Sequence, residues 1–175
     1  MEIRPARFSD APALARVHVD SWRAAYSGLA TDSQLQSFTY ARREERFRQS
    51  LAAGAEETYL GTVAGEVIGF LTLGAARDPD LAPDRTGEIW GIYISPDNWR
   101  TGIGTRLADE AERLLTSQGY GDAVLWVLQD NRRARRFYEA MGFSPDGGSK
   151  FIDWGKPLKA VRYRKALQPA PQNDP

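Results

Sequence analysis

Apolar residues recur along this chain with two different periods, and together these periods predict a mixed α/β domain. Runs rich in β-branched and aromatic residues predict strands at residues 2–6, 58–63, 67–73, 88–94, 123–128, 150–154 and 161–166. Apolar residues at helical spacing predict helices at residues 9–26, 41–53, 103–118 and 131–141. Ser9 and Asn131 are expected to cap the first and last of these helices, and Gly54, Gly119 and Gly142 to end the last three.

The order of these elements predicts how the strands pair. Residues 88–128 form a strand, a helix and a second strand, which is the pattern of a right-handed crossover between parallel strands. Hairpins make the rest of the sheet antiparallel. We therefore expect one domain over residues 1–167, with a mixed, mostly antiparallel central sheet that contains a parallel strand pair and is flanked by helices. Residues 168–175 (QPAPQNDP) are expected to form a disordered tail.

Composition narrows the chemistry. The 175-residue chain has no Cys and one His, which argues against thiol catalysis and against metal sites built from several thiolates or imidazoles. Lys plus Arg and Asp plus Glu number 23 each, so no overall charge attracts nucleic acid or an anionic membrane. The amino terminus lacks the apolar core of a signal peptide, and no run of about 18 apolar residues occurs. We expect a cytoplasmic protein, monomeric or homodimeric, that uses no metal, nucleic acid or membrane.

A glycine-containing turn, SPDNWRTGIGTRL from Ser95 to Leu107, lies between a predicted strand and a predicted helix. Glycines at a helix start let an anion approach backbone N–H groups at the positive end of the helix dipole. A Walker-type phosphate loop needs Lys followed by Ser or Thr after its glycine, where this chain has Thr-Arg. A dinucleotide fingerprint needs a third small residue, where this chain has Leu107. The pyrophosphate of coenzyme A is the third ligand class, and the turn alone leaves all three open.

Two blocks of sequence resemble the GNAT superfamily of acyl-CoA-dependent N-acetyltransferases. The first is EIWGIYISPDNWRTGIG, from Glu88 to Gly104, and the second is LQDNRRARRFYEAMGF, from Leu128 to Phe143. Trp99 departs from the family pattern, which usually has Gln or Arg at this position, and Arg100 is expected to supply the cation instead. The resemblance implies the GNAT fold and an N-acetyltransferase that uses acetyl-CoA as co-substrate and an amine as acceptor.

The resemblance also implies an opening in the sheet. In the family, the strand that contains residues 88–94 diverges from the next strand, which leaves the edge of Ile92–Ile94 free to pair with the amide-bearing arm of the donor. Gly91 is expected to mark either a bulge that contributes to this divergence or a tight packing contact.

The site residues follow from the same resemblance. Tyr138 would be the general acid for the leaving thiolate, and Glu88 would be the base that takes the amine proton. Asn131 would hydrogen-bond the pantetheine arm, and the N–H of Ile92 or Tyr93 would stabilise the oxyanion. The full set of expected cofactor-binding residues is Ile92, Tyr93, Ile94, Trp99, Arg100, Thr101, Gly102, Ile103, Gly104, Thr105, Asn131, Ala134, Arg135 and Phe137.

Other interpretations stay open at this point. The protein could be a non-catalytic acyl-CoA-binding or regulatory module of the same fold, or a nucleotide-binding protein. Taken alone, Tyr138 would be a half-buried helix aromatic, and Glu88 an ion-paired or solvent-facing charge. His18, Trp22 and Tyr26 would form core or the wall of an acceptor pocket. The acceptor could be a polyamine, an aminoglycoside, an amino acid, a peptide amino terminus or a lysine side chain.

Overall fold

The computed structural model describes residues 1–54 and 56–168, and the tail predicted at 168–175 lies, apart from Gln168, outside the described residues. Its strands are β1 (Glu2–Pro5), β2 (Glu57–Val63), β3 (Glu66–Ala75), β4 (Thr86–Ile94), β5 (Asp122–Leu128), β6 (Ser144–Asp153) and β7 (Pro157–Ala166). Its helices are α1 (Ala11–Tyr26), α2 (Asp32–Ser37), α3 (Tyr40–Ala53), α4 (Ile103–Ser117) and α5 (Arg132–Ala140).

The seven described strands form one sheet in the order β1-β2-β3-β4-β5-β7-β6. Only β4 and β5 pair in parallel, with α4 as the crossover between them, and every other neighbouring pair is antiparallel. This is the predicted mixed sheet with one parallel pair, so the expected fold class is confirmed.

Helices cover both faces of the sheet. On one face, α4 buries Leu107 and Leu115 against strand residues such as Leu125, and α5 packs at the edge of the same cluster. On the other face, Leu14 of α1 and Phe47 of α3 are buried against Phe70 of β3. The sheet is thus the middle of three layers, and the ends of its central strands lie between α1 and α5.

The first helix begins later than predicted. Residues 8–10 form a 3₁₀ turn, and α1 starts at Ala11 without a side-chain cap, so the prediction that Ser9 caps this helix was wrong. Asp10 explains the difference, because its carboxylate accepts a 2.7 Å bond from the backbone N–H of Arg7 and pairs with Arg4 at 2.7 Å. These contacts hold the chain in the tighter turn before the helix can start.

The short helix α2 was not predicted from the sequence. This helix has six residues, and the hydroxyl of Thr31 caps it by accepting a bond from the N–H of Gln34 at 3.3 Å. A segment of fewer than two turns has too few apolar positions to show a period.

The register of β4 changes at Gly91, and both of the predicted features, a bulge and a tight packing contact, are found there. Gly91 pairs with Thr72 and Ile89 with Leu73, so Trp90 is an extra residue in β4 and forms a β-bulge. A side chain at Gly91 would place its Cβ 2.5 Å from the ring of Tyr93, so this position also needs glycine for space.

The two central strands separate directly after the bulge. Pairing between β4 and β5 runs from Thr86 opposite Asp122 to Ile89 opposite Leu125 and then stops, although both strands continue. The second half of β4, from Trp90 to Ile94, therefore has no partner strand on its β5 side. The implied divergence of the two strands is present, and it opens a wedge in the sheet.

Candidate active site

A cavity of about 480 Å³ occupies this wedge, a size within the range typical of small-molecule sites. It lies between the C-terminal half of α1, the separated ends of β4 and β5, the start of α4 and one side of α5. Twelve of the sixteen residues predicted for the site line this cavity. They are Ile92, Tyr93, Ile94, Trp99, Arg100, Gly102, Gly104, Thr105, Asn131, Ala134, Phe137 and Tyr138.

One end of the cavity, which we call the donor half, is formed by the start of α4 and by α5. Gly102 precedes α4 at a φ of +84°, a left-handed conformation that favours glycine, and no side chain caps the helix. The first helical hydrogen bond runs from the N–H of Arg106 to the carbonyl of Gly102. The N–H groups of residues 103–105 are thus the uncapped donors of a helix start, which fits a site for a pyrophosphate.

Two arginines lie at this helix start. The guanidinium carbon of Arg133 lies 3.5 Å from the ring centre of Trp99, whose indole N–H donates to the carbonyl of Ile94 at 2.8 Å. Partial burial, and secondly the charge of Arg100, lower the pKa of Arg133. Because a bound anion would relieve this repulsion between like charges, the pair fits the same pyrophosphate site. Arg100 has a φ of +65°, an uncommon conformation for a residue other than glycine.

Tyr138 lies on α5 and lines the cavity. Burial first, and the nearby Tyr93 second, raise the pKa of its phenol above the ordinary value. Burial also raises the pKa of Tyr26, with Tyr93 and Tyr138 contributing. The cavity therefore holds three neighbouring phenols, Tyr26, Tyr93 and Tyr138.

Asn131 begins α5 as its predicted cap. The side-chain oxygen accepts a bond from the N–H of Ala134 at 3.1 Å, while the amide lies beside the hydroxyl of Tyr26. Its carbonyl oxygen is thus used by the helix, and the side-chain N–H₂ is the part that can donate to a ligand.

Glu88 does not line the cavity. Its side chain is only 2% exposed, and it forms a bidentate ion pair with Arg77, with N–O distances of 2.6 and 3.1 Å. The backbone N–H of Arg77 donates to the same carboxylate at 3.1 Å. The structure therefore separates Glu88 from Tyr138, and any part of Glu88 in proton transfer would have to be indirect.

Three predicted cofactor-binding residues also lie outside the cavity lining. Thr101 donates its hydroxyl to the carbonyl of Asn98, and Ile103 is buried in the core beneath α4. Arg135 donates to the hydroxyl of Tyr163 at 2.8 Å. Ile103 can still present its backbone N–H at the helix start, whereas the side chain of Arg135 is used by the fold. Of the arginines between 132 and 136, Arg133 is the one that lines the cavity.

The other end of the cavity, which we call the acceptor half, was predicted only in part. It is lined by residues 21, 22 and 24–26 of α1 and by two indoles, Trp90 and Trp126. The sequence predicts Trp22 and Tyr26 to form core or the wall of an acceptor pocket, but it gave no prediction for the two strand tryptophans. Two features of the sequence could have indicated them. Trp90 is next to the bulge glycine, and Trp126 interrupts the aliphatic run AVLWVL.

Buried ion pairs support the wall of the acceptor half. The indole N–H of Trp126 donates to Asp78 at 2.9 Å, and Arg162 on β7 binds Asp78, Asp80 and Asp146 at 2.7 to 3.2 Å. Arg162 is only 6% exposed. It therefore joins the loop after β3 to β6 and β7 and fixes the position of the Trp126 ring.

His18 lies behind the cavity and does not line it. Its ring is surrounded by aromatic side chains, with Tyr93 the nearest at 4.1 Å between ring centres. Burial, followed by the charge of Arg43, holds its pKa well below the usual value. A guanidinium nitrogen of Arg43 lies 3.2 Å from Nδ1, and since Arg can only donate, the neutral imidazole carries its proton on Nε2. His18 is a core residue, as one of the two predictions had it.

Comparison with known proteins identifies the family. The model of the acetyltransferase (GNAT) family matches residues 17–143 of this chain. The chain belongs to this family. The probable N-acetyltransferase Rv2775 of Mycobacterium tuberculosis is 34% identical and aligns with 92% of this chain and 88% of its own length. The spermidine N(1)-acetyltransferase of Thermoplasma acidophilum is 26% identical, over 87% of this chain and 94% of its own length.

The fold comparison agrees with this assignment. The crystal structure of the PaiA N-acetyltransferase from Thermoplasma acidophilum in complex with coenzyme A superposes with a TM-score of 0.73. That match covers 94% of this chain and 98% of the other at 21% identity. The resemblance inferred from the two sequence blocks is confirmed: this chain is a GNAT N-acetyltransferase, and acetyl-CoA is the co-substrate of its family.

Within residues 1–54 and 56–168, no helix is long and apolar enough to cross a membrane, and no group of three His, Cys, Asp or Glu side chains could hold a metal ion.

Proposed function

We propose that this protein transfers an acetyl group from acetyl-CoA to a primary amine in the wedge between β4 and β5, by direct attack within a ternary complex. One observation carries the proposal. The hydroxyl-bearing Tyr138 lines the same cavity as the uncapped start of α4 and the unpaired half of β4. One cavity thus combines a helix start suited to an anion, a free strand edge and a phenol, which are three of the parts that acetyl transfer needs from the enzyme.

The donor is held by the donor half. Backbone N–H groups at the start of α4, with Arg100 and Arg133, would bind the pyrophosphate. The free edge of Ile92–Ile94 would pair with the amide groups of the pantetheine arm as an added strand does. Asn131 would donate its side-chain N–H₂ to the same arm. The thioester carbon then lies within reach of an amine that enters from the acceptor half.

The transfer forms one bond and breaks another. The neutral amine nitrogen bonds to the carbonyl carbon, the carbon–sulfur bond breaks, and the proton lost by nitrogen balances the proton gained by sulfur. Negative charge develops on the carbonyl oxygen, and we propose that a backbone N–H beside the bulge, at Ile92 or Tyr93, stabilises it. One such donor typically contributes about 10²-fold to the rate.

Tyr138 acts on the leaving sulfur. The hydrogen bond that a phenol donates to sulfur strengthens as negative charge develops on the sulfur. A phenol is protonated at neutral pH, so the proton of Tyr138 is present at the start of the reaction. We propose that this hydroxyl donates to the departing thiolate.

Glu88 is proposed to accept the amine proton through water, since its carboxylate does not line the cavity. On this proposal, Glu88→Gln lowers kcat by about 10²-fold, the lower end of the usual range for general base catalysis. Glu66→Gln, a carboxylate on β3 outside the cavity lining, is the matched control and should leave kcat unchanged. An unchanged kcat in Glu88→Gln with a raised KM for the amine would instead assign Glu88 to holding Arg77, which stacks on Trp90.

The proposed function is tested by incubating the purified protein with acetyl-CoA and a panel of primary amines. The panel includes spermidine, because a relative is named for that acceptor. Free thiol release and the mass of the acetylated amine are followed together. The proposal predicts equal amounts of the two products with at least one amine. Binding of acetyl-CoA without either product across the panel would identify a non-catalytic acyl-CoA-binding module.

A further inference from the structure

The acceptor half of the cavity is walled by aromatic rings. Trp22, Tyr26, Trp90 and Trp126 line it. The hairpin between β6 and β7 supports this wall, because Trp154 packs its ring 5.2 Å from that of Trp22 and 5.1 Å from that of Tyr26. An acceptor that enters this half meets ring faces and edges.

The acceptor half has no charged side chain in its described lining that could pair with an acceptor. Among the described residues that line the cavity, the charged ones are Arg100 and Arg133, and both belong to the donor half. Two carboxylates that lie behind the wall are already bound by the protein. Glu88 pairs with Arg77, and Asp78 pairs with Arg162 and with the indole of Trp126. A second ammonium group on the acceptor would therefore lose its hydration without gaining a counter-ion.

Cation–π contacts cannot easily replace that counter-ion. The guanidinium carbon of Arg77 lies 4.3 Å from the ring centre of Trp90, and the Nζ of Lys150 lies 3.8 Å from that of Trp126. Each indole thus already carries a protein cation on one face. A substrate cation on the opposite face would be repelled across the ring, which weakens the attraction that a bare aromatic cage would provide.

We propose that the acceptor is a small primary amine carried on an aromatic or large apolar body, with no second cationic group. This inference rests on the proposed function and deepens it by naming the substrate class. The reacting amine enters neutral, as the attack requires, while its ring fills the space between the indoles. Polyamines and aminoglycosides are polycations, and they are disfavoured because the wall has no counter-ion for their additional ammonium groups.

The test compares kcat/KM for 2-phenylethylamine and tryptamine with kcat/KM for spermidine and for a short peptide that begins with Phe. We expect kcat/KM for the two aromatic amines to exceed that for spermidine by at least about tenfold. Burial of an aromatic ring contributes at least this much to binding. Equal or better turnover of spermidine would overturn the inference while leaving the proposed function intact. A preference for the peptide would overturn the assignment to small molecules.

Adding a charge to the wall tests whether the absence of a counter-ion determines the preference among acceptors. Ala25 of α1 lines the acceptor half, so Ala25→Glu adds one carboxylate there, and Ala25→Gln adds the same volume without charge. We expect Ala25→Glu to shift the preference towards spermidine by about tenfold relative to Ala25→Gln. Identical preferences in the two variants would contradict the account of how the wall excludes polycations.

A binding measurement separates this inference from the proposed function. Tryptophan fluorescence of the CoA-saturated protein should report tighter binding of 2-phenylethylamine than of spermidine. If 2-phenylethylamine binds more tightly than spermidine but no amine is acetylated, the proposed function is wrong, whereas the inferred preference for aromatic amines is supported. If spermidine binds as tightly, the inference fails whatever the turnover.

Discussion

Replacing Tyr138 by Phe is expected to lower kcat for the best acceptor by about 10²-fold, within the usual range for the loss of a general acid. The hydroxyl interacts most strongly when charge has moved onto the sulfur, so the KM values for acetyl-CoA and amine should change little. Steady-state kinetics with both substrates varied, followed by thiol release, measure the two effects separately.

The matched control is Tyr120→Phe, because Tyr120 packs against the core at the other end of the sheet and does not line the cavity. It should keep the wild-type kcat. A Tyr138→Phe enzyme with the wild-type rate would show that the thiolate obtains its proton elsewhere and that Tyr138 is a packing residue. A loss of the same size in both variants would point to a general effect of removing a phenol.

Replacing Arg162 by Met is expected to destabilise the protein by about 3 kcal/mol, a typical cost of removing one partner from a buried ion pair. The change leaves Asp78 and Asp146, both largely buried, close together without their cation. The free energy of unfolding in urea measures this loss. Because Asp78 also holds the Trp126 indole, the KM for the amine should rise at temperatures where the variant is folded.

Arg164→Met provides the comparison on the same strand. Arg164 pairs with Asp122 at 2.7 Å, but both side chains are about one-third exposed, so its removal should cost less than about 1 kcal/mol. Equal destabilisation by the two changes would contradict the importance given to the buried cluster. A destabilised Arg162→Met with an unchanged KM would show that the cluster supports the fold and leaves the acceptor wall in place.

The donor half could be predicted from the sequence because its function depends on local backbone geometry. The Gly102 and Gly104 turn, the helix start at Ile103 and the cap at Asn131 are all short-range features, and the structure has each where it was expected. The Gly91 bulge also has a local signal, although only the register of β3 against β4 shows that a bulge is present in addition to close packing.

The acceptor half depends on contacts that no local pattern shows. Trp126 lies in an apolar run that resembles any buried strand, and it lines the cavity only because pairing with β4 stops at Leu125. The ion pair between Glu88 and Arg77 joins residues from two elements, and Arg162 gathers carboxylates from distant parts of the chain. Such long-range pairings depend on the assembled sheet. This is why no prediction from the sequence covered Trp90 and Trp126, and why the sequence could not decide whether Glu88 is a base or an ion-paired charge.

Hydrogen exchange with and without coenzyme A shows whether the wedge binds the co-substrate. We expect coenzyme A to slow amide exchange at the start of α4, residues 103–106, and at the open edge of β4, residues 92–94. The far strands β1 and β2 should exchange at unchanged rates and serve as internal references. Protection confined to other elements, or saturating coenzyme A with no protection at these two segments, would contradict the assignment of the wedge as the acetyl-CoA site.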